Sequence, residues 1–169
     1  KELAHAILRC WTEGPIVSPP HAVCLAPGDA EPLAFAEVQR TLADQRFYWL
    51  ASSCPGGAPH VRPVLGVWVD GAMHTTSSPT ARKALNLATD SRCSLSASTS
   101  TMDIVVEGQA TRVVDDDALD RISQAYLAKY GWPTTVTDGA FDAPYGAPTA
   151  GPPPYEPWRI DATAVFAAL

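Results

Sequence analysis

Between residues 103 and 114, small or apolar Val106, Gly108 and Ala110 alternate with polar Glu107, Gln109 and Thr111, the period of a strand with one buried face. Residues 92–98 and 158–169 read as further strands, as does the run Phe47-Tyr48-Trp49-Leu50-Ala51. Residues 60–69 are rich in β-branched positions and end at Asp70-Gly71, a strong two-residue hairpin signal, after which residues 72–78 run back. Helical spacing replaces alternation elsewhere. Phe35, Val38, Leu42 and Ala43 mark a helix ending near Gln45. Leu119, Ile122, Tyr126, Leu127 and Tyr130 form the apolar face of another, and Asp115-Asp116-Asp117 at its start suits the helix dipole. Six strands with helices between them predict a mainly β chain: a six-stranded antiparallel β-barrel with rim helices.

Pairing about Asp70-Gly71 sets Val64 opposite Ser77 and Arg62 opposite Pro79. A bulge at Gly66 shifts this register by one and sends the polar set to the other face. The next helix reads as Ser78 at the N-cap and Pro79 at the first helical position, running to about Thr89. Ala81, Ala84, Leu85 and Ala88 make its apolar stripe, with Arg82, Lys83 and Asn86 on another face. Two cations in a first turn oppose the macrodipole by a few tenths of a kcal/mol, a conflict that a bound phosphate removes. His60, Arg62, Ser77, Arg82 and Lys83 then converge on one anion, with the hydroxyls of residues 76–78 as further donors. The alternative is an exposed basic turn on a solvated face.

The run Pro59-His60-Val61-Arg62-Pro63-Val64, the hairpin Val69-Asp70-Gly71-Ala72, Thr76-Ser77, and Arg82-Lys83 followed by Asn86-Leu87 resemble the FMN-binding split-barrel superfamily, whose best-known member is pyridoxamine 5′-phosphate oxidase. The nearest type is that of actinobacterial flavin and deazaflavin oxidoreductases, and the similarity covers about residues 35–169. The resemblance implies FMN or coenzyme F420 as cofactor. His60, Arg62, Pro63 and Val64 would border its ring or ribityl chain, Thr76 and Ser77 its ring edge or phosphate, and Arg82 and Lys83 would hold the phosphate. It also implies a homodimer with cofactor at the subunit interface, approached by a C-terminal aromatic such as Trp158. True pyridoxamine phosphate oxidases carry a C-terminal Arg-x-His; here Trp158-Arg159-Ile160-Asp161 offers no matching histidine, so vitamin B6 oxidation is not expected.

A chain of 169 residues, 46% apolar, supports one compact core, placed at residues 34–169. Residues 1–33 read as an N-terminal extension: a short helix over 1–11, then Gly14-Pro15, Pro19-Pro20, Pro27-Gly28 and Pro32. That extension either packs on the barrel, crosses to a partner subunit or is partly disordered. A net charge of −6 argues against nucleic acid, so the basic residues at 82 and 83 are a local site. Cys10, Cys24, Cys54 and Cys93 lack zinc spacing, and Cys93 reads as a core residue. With no signal peptide and no long apolar run, the expectation is a cytoplasmic protein with free thiols and no membrane span. His5, His21, His60 and His74 lack a distinctive axial-ligand setting, which ranks a haem-binding barrel last.

Residues 131–157 read as one long loop, stiffened by Pro148, Pro152, Pro153 and Pro154. It is either a wall of the active site, with Trp132, Tyr145 and Tyr155 as stacking surfaces, or a plain crossover. The leading function is hydride transfer to or from a small, apolar substrate by a flavin-type cofactor; the rival is a non-catalytic carrier of that cofactor. No residue reads as a catalytic acid or base. His60 either moves a proton or positions the cofactor.

Overall fold

The computed structural model describes residues 35–146 and 150–168, together with the backbone of 22–24. The expected helix over 1–11, Cys10, His5, His21, the Cys24 side chain and Pro148 lie outside the described residues. In chain order the elements are β1 (Ala22–Cys24), α1 (Phe35–Asp44), β2 (Tyr48–Ser53), β3 (Pro59–Val64), β4 (Gly66–Val69), β5 (Ala72–Ser77), α2 (Arg82–Thr89), β6 (Arg92–Ser98), β7 (Asp103–Arg112), α3 (Asp116–Tyr130), β8 (Thr135–Thr137), β9 (Ala140–Asp142) and β10 (Glu156–Ala168).

Seven strands follow the order β3-β2-β6-β7-β10-β5-β4, antiparallel throughout, and β1 adds a parallel pairing on β10. The path begins at β3 and ends at β4, which are separated in the chain by Leu65 alone, so the sheet curls into a half-barrel. Alternation along the strands fills its interior: Tyr48, Leu50, Met73, Leu95, Ile104, Val106 and Ile160 are buried there, and α1 adds Val38 and Leu42. A second apolar cluster joins α3 to β4 and the β8–β9 hairpin through Val67, Leu119, Ile122, Tyr126, Trp132, Phe141 and Tyr155. The α3 boundaries follow their local chemistry: Asp115 accepts from the Ala118 N–H at 2.9 Å, and Gly131 takes a left-handed conformation at the C-terminus.

Three expectations change. Residues 60–69 are two strands, not one. The register about Asp70-Gly71 holds from Val69↔Ala72 to Gly66↔Thr75, but beyond Leu65 the partners change: Val64 pairs with Tyr48, and Ser77 with Glu156. The corner is stable because distant side chains satisfy its backbone. The Leu65 carbonyl accepts from Thr75 Oγ1 and the Tyr126 hydroxyl, and the Gly66 carbonyl from Lys129 Nζ and the Tyr130 hydroxyl. Second, α2 starts at Arg82, and Pro79 lies in the turn before it, because the Ser78 N–H bonds the Ala150 carbonyl (2.8 Å) and the Ala81 N–H turns back to Ser78. Third, the expected loop at 131–157 contains the β8–β9 hairpin, and Phe141 and Tyr155 exchange backbone hydrogen bonds at 2.8 and 2.7 Å.

Candidate functional site

The Leu65 corner, the end of β5, the start of α2 and the end of α3 surround one cavity of about 300 Å³. Val64 and Leu65 come from the corner, Thr76 from β5, Lys83 from α2 and Tyr130 from α3; Arg46 and Phe47 enter ahead of β2, and Trp132, Tyr145, Gly146 and Ala150 from the segment after α3. Among the described residues no carboxylate lines it.

The start of α2 is chemically open. Ala81 occupies its N-cap position and no side chain caps it, so the first amides lack the usual hydroxyl or carboxylate acceptor. Arg82 and Lys83 fill the first two positions, and their side chains diverge: Arg82 is exposed, whereas Lys83 is only 3% exposed. Leu85 faces out and Leu87 in, so the expected stripe is displaced by the burial of Lys83 and Asn86. Asn86 is fully buried and anchors α2 to β2, its Nδ2 donating to Ser52 Oγ at 3.1 Å and reaching Cys54 Sγ at 3.7 Å. Its Oδ1 has no hydrogen-bond partner among the described residues.

Burial, and after it the Arg62 charge, pushes the Lys83 ammonium down to about 8. His60 is also lowered, by desolvation first and then by Arg62, Arg82 and Lys83. The imidazole and three cationic side chains therefore share one electrostatic neighbourhood, and among the described residues neither Arg62 nor Arg82 forms an ion pair with a carboxylate. An anion placed there relieves both the mutual repulsion and the uncapped helix end.

Of the residues singled out from sequence, Val64, Thr76 and Lys83 line the cavity. His60 and Pro63 are half-buried on β3, and Arg62 is exposed, its Nη1 donating to the Val61 carbonyl at 2.9 Å. Ser77 is buried and its hydroxyl bonds the Ser78 carbonyl. Trp158 lies in the barrel core, away from the cavity lining, with Nε1 unpartnered among the described residues. Trp132 both lines the cavity and anchors its own loop, donating from Nε1 to the Tyr145 carbonyl at 2.6 Å and meeting the Tyr155 ring edge-on at 5.3 Å. Tyr145 is exposed at the rim, while Tyr155 is buried behind Trp132. Gly146 and Ala150 belong to the 131–157 segment read as a wall of the site, whereas sequence reasoning did not place Arg46, Phe47, Leu65 or Tyr130 there; Phe47, Leu65 and Tyr130 carried only strand or helical-face signals, and Arg46 none. Cys93 packs against the core and burial pushes its thiol up to about 12, in keeping with a structural role.

The sequence profile described as pyridoxamine 5′-phosphate oxidase matches residues 34–167. No curated protein matches the sequence. Among solved structures, the conserved hypothetical protein Rv2991 of Mycobacterium tuberculosis is 23% identical with a TM-score of 0.62, over 80% of this chain and 84% of that one. An FAD-binding protein from Mesorhizobium loti is 20% identical with a TM-score of 0.56, over 79% and 90%. An F420 reductase is 18% identical with a TM-score of 0.54, over 75% and 94%. At these identities the structures establish the fold.

Proposed function

Because the chain belongs to the pyridoxamine 5′-phosphate oxidase family, we propose that it binds FMN or coenzyme F420 by the phosphate at the start of α2 and is an oxidoreductase for a small, apolar substrate. The observation that carries this reading is Lys83, buried at an uncapped helix N-terminus and within electrostatic reach of Arg62, Arg82 and His60. The residues fit the group: amides, an ammonium, the Thr76 hydroxyl and neighbouring guanidinium groups are the donors that a phosphate takes. The FAD-binding protein and the F420 reductase of similar fold support a flavin-type ligand. When bound, that cofactor supplies hydride chemistry. The chain's own part is to hold the phosphate with Lys83 and Arg82, to border the ring with Val64 and the neighbouring strand, and to offer Trp132 and Tyr145 as flat walls.

Oxidation of a B6 phosphate is disfavoured by the state of Arg159. Its Nε is ion-paired to Asp161 at 2.6 Å and its Nη1 donates to the Asp70 carbonyl, so it is committed away from a second phosphate. Two copies of the chain are taken to complete the site, since Phe47 and Tyr145 leave its rim open and apolar. The rival reading, a cofactor carrier, shares the same phosphate clamp. Fluorescence titration with FMN and with F420, followed by turnover of quinones and enones with NAD(P)H or reduced F420, separates them. Binding with turnover supports the oxidoreductase, binding without turnover the carrier, and no binding of either cofactor overturns both.

A further inference from the structure

The candidate cavity has two cationic ends. Lys83 and Thr76 mark one, beside α2; Asn86, one turn after Lys83, touches Ser52 at the far end of β2. Arg46 marks the other, two residues ahead of Tyr48, where β2 begins. Most of the remaining lining is apolar or aromatic, including Phe47, Val64, Leu65, Trp132 and Tyr145.

Arg46 is held without being neutralised. Its guanidinium carbon sits 6.0 Å from the centre of the Tyr130 ring, and that ring is fixed because its hydroxyl bonds the Gly66 carbonyl at 2.8 Å and the Arg46 carbonyl at 3.0 Å. Among the described residues the Arg46 guanidinium forms no ion pair with a carboxylate. The remaining polar groups at this end are committed. Lys129 Nζ donates to the Ala43 carbonyl, the Tyr48 hydroxyl and the Gly66 carbonyl, and the Tyr145 hydroxyl donates to the Gly131 carbonyl. A guanidinium held beside an aromatic ring still presents a planar edge of N–H donors, a geometry that matches a carboxylate in two parallel bonds.

We propose that Arg46 recognises a carboxylate on the substrate, so that the otherwise apolar molecule this site takes is a small aromatic or aliphatic acid whose body lies along Phe47, Leu65 and Trp132. The inference rests on the cofactor reading in one respect, the assignment of the Lys83 end to phosphate.

Benzoate, cinnamate and 2-naphthoate, each against its carboxamide, are titrated calorimetrically into the FMN-loaded protein and into the protein as purified. The acids bind the wild type at least tenfold more tightly than the amides. Arg46→Gln abolishes that preference and Arg46→Lys retains part of it, with FMN affinity the same in all three. Equal binding of acid and amide, a preference that survives Arg46→Gln, or no binding of any probe overturns the inference. A loss of FMN affinity equal to the loss of acid affinity also overturns it, by assigning Arg46 to the cofactor. Protein that takes up no flavin yet still discriminates acid from amide retains this inference and defeats the preceding one.

Discussion

Lys83 shows how a residue that looks solvated in sequence becomes the centre of a site. Its neighbour Arg82 and the polar Asn86 suggest an outward face, but Lys83 and Asn86 turn inward and Leu85 turns out. Helical periodicity could not reveal this, since the burial depends on Ser52 of β2 and Cys54 just after it meeting Asn86 across more than thirty positions of sequence. The electrostatic conflict at the helix start was nonetheless legible, as two cations where the dipole disfavours them. Burial lowers the Lys83 pKa to about 8, and a bound phosphate favours the charged form, so binding is coupled to proton uptake. The sign follows: affinity is insensitive to this group well below pH 8 and falls by up to about tenfold per pH unit above it, until the pKa of the complex is reached. Calorimetry from pH 7 to 9.5 should show that fall in the wild type. Lys83→Arg, whose guanidinium stays charged, should bind with little slope over the same range.

At the scale of elements, strands with one buried face and the capped α3 were readable because their signals are local, as the Asp115 cap and the alternation of β7 show. The break at Leu65 was not. Besides Thr75, its carbonyls are satisfied by Tyr126, Lys129 and Tyr130, all more than sixty positions away, and no local pattern announces such partners. Two glycines separate a tolerant position from an intolerant one. A Cβ at Gly66 meets the flexible end of Met73 at 2.9 Å and the Tyr48 ring at 3.2 Å, whereas at Gly108 it collides with the Asp161 backbone carbonyl beside the β10 bulge. Gly66→Ala should therefore cost about 1 kcal/mol and Gly108→Ala about 3 kcal/mol or more, since backbone yields less than a side-chain terminus. Urea denaturation of the two variants checks the order.

For the whole molecule, the outer face of the half-barrel carries a row running from Trp49 to Ser96, Val105 and Phe166 across four strands, with Trp49 55% exposed and Val61 close by on β3. If two copies pack through this face, Trp49→Glu should convert a dimer into a folded monomer in light scattering, because an unpaired carboxylate at such an interface carries a desolvation penalty of several kcal/mol. A wild-type monomer under the same conditions would remove the shared-site arrangement. The central claim, that Lys83 binds the cofactor phosphate, is tested most directly by a thermodynamic cycle of FMN and riboflavin on the wild type and Lys83→Ala. Lys83→Ala should weaken FMN by about 1.5 to 3 kcal/mol, the scale of a charge-assisted hydrogen bond, and leave riboflavin within about 0.5 kcal/mol, with the fold intact by circular dichroism. FMN affinity unchanged in the folded variant, or FMN and riboflavin weakened equally, would contradict it.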